Sequence, residues 1–220
     1  MLKRVVLLNG PAGSGKDALA HMLVDNLDFC HLKVTGNHKE RVHALYGMPD
    51  AGYDYFEGHK DEKRPEFYGL TPRQAYIRVW EDYFKPMHGE NFLIDELISD
   101  IDNSEYERFV VSDIGFDREC KALINYYALD SGVFKIMRPG IQYDMNDTRS
   151  YVSSSAVELK VSAQPGGKAP SVVDQNRSTT LFNQETLDQF YNNFIRKYQK
   201  LFTDDLTQPL NAKQIGSKDA

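Results

Sequence analysis

The chain has 220 residues, 41% of them hydrophobic and 12% aromatic, with 26 Lys and Arg against 32 Asp and Glu and a formal net charge of −6. Apolar content at that level excludes wholesale disorder, and the length suits one medium α/β domain. The acidic balance argues against a broad basic face for nucleic acid or an anionic membrane, while leaving room for a small basic pocket.

Val5 to Leu8 is a continuous apolar run that predicts a strand buried on both faces, as in a parallel sheet. It meets Asn9-Gly10-Pro11 too soon to serve as a signal-peptide core, and no stretch nears the roughly 18 apolar residues of a membrane span. From Lys16, Leu19, Met22, Leu23 and Leu27 recur at helical spacing. Phe29–Val34 predicts a second strand, and Lys39–Leu45 a helix ended near Gly47. Both cysteines, Cys30 and Cys120, fall in apolar runs, which points to reduced, buried thiols and a cytoplasmic setting.

Residues 48–70 read as loop; the aromatics Tyr53, Tyr55, Phe56, Phe67 and Tyr68 within them either stack a base or pack the loop. Thr71-Pro72-Arg73-Gln74 is the clearest helix start, with Thr71 as cap, Pro72 at the first helical position and Gln74 completing a capping box. Tyr76, Val79, Trp80, Tyr83 and Phe84 form its stripe, and Pro86 is its expected end. A helix follows over Asn91–Ile101, then a strand, Phe109–Asp113, that ends in an acid. The next helix carries Cys120, Leu123, Ile124 and Tyr127, with Asp117 read as its cap and Glu119 as solvated. The strand Val133–Met137 leads into Arg138-Pro139-Gly140. Residues 141–178, with a weak strand pattern over Val157–Val161, are long and polar enough to predict a flap or lid. Thr180–Phe182 is a last short strand, Leu187 to Leu201 a closing helix, and residues 207–220 a polar tail. The whole predicts an α/β three-layer sandwich over residues 1–206, a single domain with about five mostly parallel strands and helices on both faces.

Gly10-Pro11-Ala12-Gly13-Ser14-Gly15-Lys16 matches the P-loop pattern of glycine, four residues, glycine and lysine, and the preceding strand and following helix are the context that motif requires. Glycines let the backbone N–H groups wrap a polyphosphate, the helix N-terminus adds partial positive charge, and Lys16 reaches the β and γ phosphates. Gly10, Ala12, Gly13, Ser14, Gly15, Lys16, Asp17 and Ala18 are thus the expected ATP contacts. Where a P-loop carries Ser or Thr to hold Mg²⁺, this chain has Asp17, either a metal ligand or a group that orients Lys16 and complements the helix dipole.

Asp113 falls at the carboxyl edge of the predicted sheet, where open α/β folds bind ligands, so it is expected to serve metal or substrate, and with Asp17, where that residue acts as a ligand, it would form the metal pair. Phosphoryl transfer also needs cations beyond Lys16, and Lys39, Arg41, Arg73, Arg138 and Arg149 are available. Arg138, on a rigid turn, suits the transferring phosphate; Arg73 and Lys39 suit an acceptor; for Arg41 and Arg78 an ordinary solvated role leads. His21, His31, His38, His43, His59 and His88 show no metal-ligand spacing.

The chain resembles the deoxynucleoside monophosphate kinases of tailed bacteriophages. The likeness rests on Ser14-Gly15-Lys16-Asp17, Gly36-Asn37-His38-Lys39, Thr71-Pro72-Arg73, Asp113 with Asp117 and Glu119, Arg138-Pro139-Gly140 and Asn146-Asp147-Thr148. The resemblance implies a P-loop kinase fold that transfers the γ-phosphate of ATP, with Mg²⁺, to a deoxynucleoside monophosphate. Lys16, Asp17, Asp113 and Arg138 are then the catalytic set, and Gly36, Lys39, Arg73, Asp113 and Arg149 the acceptor-binding set. Gly115 stands where the family's acidic motif is expected to carry an arginine, Ala18 replaces a hydroxyl residue, and residues 150–176 have no clear counterpart. The expected partners are small nucleotides, not nucleic acid or membrane, with a homodimer open as the assembly. The alternatives are a P-loop kinase of another small phosphorylated metabolite and a nucleotide-sensing module with little transfer activity.

Overall fold

The computed structural model describes residues 3–145, 147, 149–157, 178–184 and 186–201. The chain divides into two compact units: residues up to His31 with those from Tyr106 on form one, and Leu32–Glu105 form the other. The span read as one domain thus carries its second unit as an insertion at the end of the second strand.

The first unit is built on β1 (Arg4–Asn9), α1 (Lys16–Leu27), β2 (Cys30–Leu32), β3 (Arg108–Ile114), α6 (Asp117–Tyr127), β4 (Ser131–Met137), β5 (Ser178–Phe182) and α7 (Leu187–Leu201). Among the described residues the strands make one five-stranded sheet in the order β2-β3-β1-β4-β5, and the β1–β3, β1–β4 and β4–β5 ladders are parallel. Val5, Val6, Leu7 and Leu8 of the central strand are completely buried, as an apolar run covered on both faces requires. Val6, Leu8, Val110, Phe134 and Ile136 meet Leu19 and Leu23 of α1 and Phe190, Phe194 and Tyr198 of α7 in one core cluster. Val5 and Leu7, alternating with them, face away from that cluster, and α6 packs against β4 and β1.

β1 crosses over to β2 on one side, whereas its neighbour β3 crosses over to β4 on the other. Adjacent strands whose connections leave in opposite directions define the topological switch point, the place where such sheets bind ligands at their carboxyl ends. Here the register of β1 on β3 also slips by one residue between Leu7 and Asn9, so that Ser112 and Asp113 together oppose Leu8. A bulge of this kind re-aims side chains and is common beside active sites. It also corrects the expected strand end: β3 continues past Asp113 to Ile114.

The second unit holds α2 (Gly36–Leu45), α3 (Pro72–Val79), α4 (Lys85–His88) and α5 (Phe92–Asn103) around a small core of Val42, Phe56, Phe67, Ala75 and Val79. The capping box at Thr71 forms as predicted: its side chain accepts from the Gln74 N–H at 3.1 Å, and the Thr71 N–H donates to the Gln74 side chain at 3.0 Å. Pro86 does not end the helix. A π-helical turn over Trp80–Phe84 carries the chain into α4, and Gly89 (φ 86°) terminates it. Proline lacks an N–H and crowds the carbonyl four residues back, and the wider turn just before it accommodates both defects. α2 starts three residues before the expected Lys39, and β2 covers only the middle of Phe29–Val34.

The connection expected as a flap lies partly outside the described residues, as do most of Val157–Val161 and the whole tail. Within its described part Val152, Ala156 and Val157 are buried, whereas Met145 is fully exposed. The Asn9 side chain holds the connection as a neighbouring strand would: the amide donates to the Ser150 carbonyl at 3.0 Å, and its oxygen accepts from the Val152 N–H at 2.9 Å. No helix among the described residues is long and apolar enough to cross a membrane.

Candidate active site

The glycine loop joins the end of β1 to the start of α1. Gly15 caps α1 in the left-handed region (φ 104°), and having no side chain it leaves the first-turn amides without the usual cap. A methyl on Gly10 would meet the Ile136 backbone carbonyl at 2.5 Å, which leaves no room for a side chain, while at Gly15 the positive φ disfavours one and a methyl would displace the Asn183 amide, 2.4 Å away. Uncapped amides at the N-terminus of a 12-residue helix favour an anion. Lys16 is 8% exposed; its Nζ donates to the Pro11 carbonyl at 2.7 Å and lies 3.5 Å from Ser14 Oγ, so the ammonium is folded into the loop it would share with a phosphate. Ala12 and Gly13 form the exposed tip, and Ser14 is buried.

Two further groups brace this loop. Arg138, after β4, donates through Nη1 to the Gly13 carbonyl at 3.1 Å, which brings the predicted phosphate-binding arginine to the cradle. Asn183, after β5, donates through Nδ2 to the Ser14 carbonyl at 2.8 Å, while its own N–H binds the Met137 carbonyl at 2.8 Å.

Asp17, exposed in the first turn of α1, accepts a hydrogen bond from the Ser112 hydroxyl at 2.9 Å, so it is tied to β3 beside Asp113. His31 Nε2 lies 2.7 Å from the same hydroxyl. Asp113 also has charged neighbours: its charge acts on both Glu119 and Arg149. Glu119 is not solvated but 9% exposed, accepting from the Gly115 and Phe116 N–H groups at 3.1 and 3.2 Å. Burial, reinforced by Asp113, pushes its carboxyl up to about 7. Asp117, expected as a cap, is already helical, and its Oδ1 accepts from the Ser153 N–H at 2.7 Å. Cys120 is buried as expected, and that burial, with Asp117 nearby, pushes its thiol up to about 12.

Arg149 lies over Gly115. A methyl at position 115 would fall 2.5 Å from Arg149 Cγ and Cδ, so the stem of Arg149 occupies the room that a side chain at 115 would take. Its Nε and Nη2 bind Asp147 at 2.9 and 2.6 Å, a fork that holds the guanidinium charge.

The acceptor residues expected at Gly36, Lys39 and Arg73 belong to the second unit. Lys39 pairs with Glu57, to which Lys60 also donates at 3.2 Å. Burial works against the Glu57 charge, but the two lysines outweigh it and hold the carboxyl down at about 2. Arg73 makes an exposed fork to Asp61, with Nε to Oδ1 at 2.6 Å, and its N–H binds the Lys60 carbonyl at 3.1 Å. Arg41 is not merely solvated: both terminal nitrogens grip Glu96. Gly36 opens α2 with nothing nearer than 3.9 Å to where a Cβ would stand. Of the loop aromatics, Phe56 and Phe67 are buried core, whereas Tyr55 and Tyr68 are exposed. His43, fully buried, donates from Nδ1 to the Ala51 carbonyl at 3.0 Å and has the Tyr76 hydroxyl 2.8 Å from Nε2.

No protein-family model matches the chain, and no curated sequence matches it. Among solved structures it is similar to a sugar kinase from Janibacter sp. HTCC2649, at 10% identity over 88% of this chain and 93% of that one, with a TM-score of 0.35. It is also similar to a protein from Chloroflexus aurantiacus provisionally described as a kinase, at 12% identity over 90% and 98%, with a TM-score of 0.39. The functional reading therefore rests on the site's own residues.

Sequence reasoning did not single out Asn9, His31, Lys60, Ser112 or Asn183 as site residues, and of these Asn9 and Ser112 carry a readable signal. Each is a polar residue closing an apolar, doubly buried strand, Val5–Leu8 and Phe109–Val111, at its carboxyl end. His31, Lys60 and Asn183 carry none that a single sequence exposes, because their roles depend on which partners the fold brings to them.

Proposed function

We propose that this protein is a nucleoside monophosphate kinase that transfers the γ-phosphate of ATP to a deoxynucleoside monophosphate, as its resemblance to the phage enzymes implies, or to the ribonucleoside counterpart. The observation that carries the reading is the cradle: a bare-glycine loop at the central strand, a helix N-terminus without a side-chain cap, and Lys16 folded into the loop. An ordinary glycine turn demands neither a buried lysine nor an arginine braced across its tip.

In this reading the loop amides and Lys16 bind the donor phosphates, and Arg138 neutralises charge on the migrating group. An acceptor phosphate oxygen attacks the γ-phosphorus as the bond to the bridging oxygen breaks and ADP leaves. No general base is needed, because a phosphate monoester is already anionic near neutral pH. Mg²⁺ is commonly held by one or two protein carboxylates together with nucleotide phosphates rather than by an all-protein cage. Asp17 and Asp113 would hold it, and it would supply charge neutralisation. Lys39, Lys60 and Arg73 are the cations of the second unit suited to an acceptor phosphate.

The test is ADP release over a panel of nucleoside monophosphates and other phosphorylated metabolites. Activity with one or more nucleotides is expected; activity only with other metabolites selects a different small-molecule kinase, and nucleotide binding with no ADP selects a sensing module. Lys16→Ala is expected to lose roughly 10²–10³-fold in turnover with its circular dichroism unchanged. Near-wild-type turnover in that variant would remove the cradle from the mechanism.

A further inference from the structure

Asp17 stands where a P-loop carries the hydroxyl that meets Mg²⁺, and a hydroxyl is nonetheless present beside it, delivered from another strand. Ser112 is 1% exposed and interrupts the apolar run of β3 at the register slip. A hydroxyl this deep requires partners, and its partners are Asp17 Oδ1 at 2.9 Å and His31 Nε2 at 2.7 Å. One hydroxyl has one proton. An ionised carboxylate only accepts, so Ser112 donates to Asp17, and His31 must then donate from Nε2 to Ser112 Oγ. The direction of the whole chain follows from that single proton.

We propose that Ser112 and His31 are positioning residues that hold Asp17 in the orientation by which it serves Mg²⁺ and the nucleotide. The inference rests on the phosphotransfer reading and deepens it at one residue. A carboxylate present only to complement the helix dipole needs no anchor on β3. An exposed aspartate on the first turn of a helix has several rotamers open to it, and holding one costs entropy that the fixed donor offsets. The anchor is itself constrained: His31 lies on β2, next to β3 in the sheet, and its ring packs edge-on against His21 of α1 at 5.7 Å and 82°. Three elements, β2, β3 and α1, therefore converge on one carboxylate at the ligand-binding edge. Groups that orient a metal ligand from behind commonly contribute 10–100-fold to metal affinity.

The experiment is calorimetric titration of ADP into the full chain, metal-free and at stepped Mg²⁺ concentrations, for wild type, Ser112→Ala, His31→Leu and His31→Gln. Ser112→Ala is expected to raise the Mg²⁺ concentration needed for half-maximal tightening about tenfold, while leaving the metal-free ADP affinity within twofold. His31→Leu, at a half-buried position, is expected to shift the same quantity about threefold to fivefold. His31→Gln, which keeps an N–H donor, is expected to restore it. Equal Mg²⁺ dependence in wild type, Ser112→Ala and His31→Leu overturns the inference while leaving the cradle standing. Should Ser112→Ala fail to fold, the contrast between His31→Leu and His31→Gln decides alone: a difference supports the positioning role, and none overturns it. A wild type that binds no ADP under any condition overturns the functional reading and this inference with it.

Discussion

The two compact units solve the same problem, burying charge and aromatic surface in a small protein, in opposite ways. The unit around β1 uses a doubly covered sheet with a core cluster of aliphatic and aromatic side chains, and it gathers polar side chains at one edge, where Asn9, Ser112, Asp17 and Asn183 are all engaged in hydrogen bonds. The Leu32–Glu105 unit has a core cluster of only Val42, Phe56, Phe67, Ala75 and Val79. It fills out its interior with a buried histidine ringed by Phe56, Phe67 and Tyr76, and it neutralises its cations internally through Lys39–Glu57, Arg41–Glu96 and Arg73–Asp61. The first design suits a rigid cradle; the second keeps its cations paired with its own carboxylates.

Truncating one aromatic in each core separates the two. Phe194, fully buried against Phe134 and Tyr198, and Phe67, fully buried against Phe56 and Tyr46, should each lose roughly 3–5 kcal/mol on substitution by alanine. Phe194→Ala is expected to weaken ADP binding in step with urea stability, since its partners line the sheet that carries the cradle. Phe67→Ala is expected to leave ADP affinity within about twofold while lowering stability. Equal losses of affinity in both variants would show that the division into two units has no energetic meaning for nucleotide binding.

A second contrast is electrostatic. In the second unit Glu57 is held charged, down at about 2, whereas in the first Glu119 is pushed up to about 7. A carboxyl whose folded pKa exceeds its unfolded value binds its proton more tightly when folded. Its contribution to stability is complete below about 4.5 and is lost as pH rises through about 7, roughly 3 kcal/mol across the window. Glu119→Gln keeps an acceptor for the Gly115 and Phe116 N–H groups without a titrating proton. Urea unfolding of the two proteins from pH 4.5 to 8 should show wild type falling relative to the variant by about that amount. A difference that stays flat with pH would mean that the Glu119 carboxylate is accommodated as readily as its acid.

The cradle and the capped helix were legible because each is a local pattern: a glycine-lysine spacing between strand and helix, and Thr71 three residues before Gln74. Both depend on contacts within a few residues. The partners of Asp17 were not legible, since Ser112 lies 95 residues away and becomes its neighbour only through the strand order and the slip between Leu7 and Asn9. Pro86 misled for a related reason. Its local rule is sound, but a π turn just upstream absorbs the defect, and nothing in the residue types of Trp80–Phe84 announces that turn. Apart from that capped helix the second unit was harder to read, because ion pairs such as Arg41 with Glu96 join residues whose types alone suggest solvated surface.

One added methyl group in each unit tests the difference at its finest grain. At Gly115 a Cβ would fall 2.5 Å from two carbons of the Arg149 stem, inside any tolerable contact, so Gly115→Ala must displace Arg149 and is expected to cost about 1–3 kcal/mol. At Gly36 the nearest atoms, Lys33 Cβ and Tyr53 Cδ1, are 3.9 Å away, and the residue opens a helix, so Gly36→Ala is expected to be neutral or to stabilise by up to about 1 kcal/mol. The displaced group can be identified by a double substitution. Truncating Arg149 to alanine removes Cγ and Cδ, and in that background Gly115→Ala should cost less than half of what it costs alone. If the penalty persists undiminished, Cγ and Cδ of the arginine stem are not what requires a glycine there, and the Arg149 Cβ, 2.9 Å from the added methyl and still present in the double variant, becomes the group to blame.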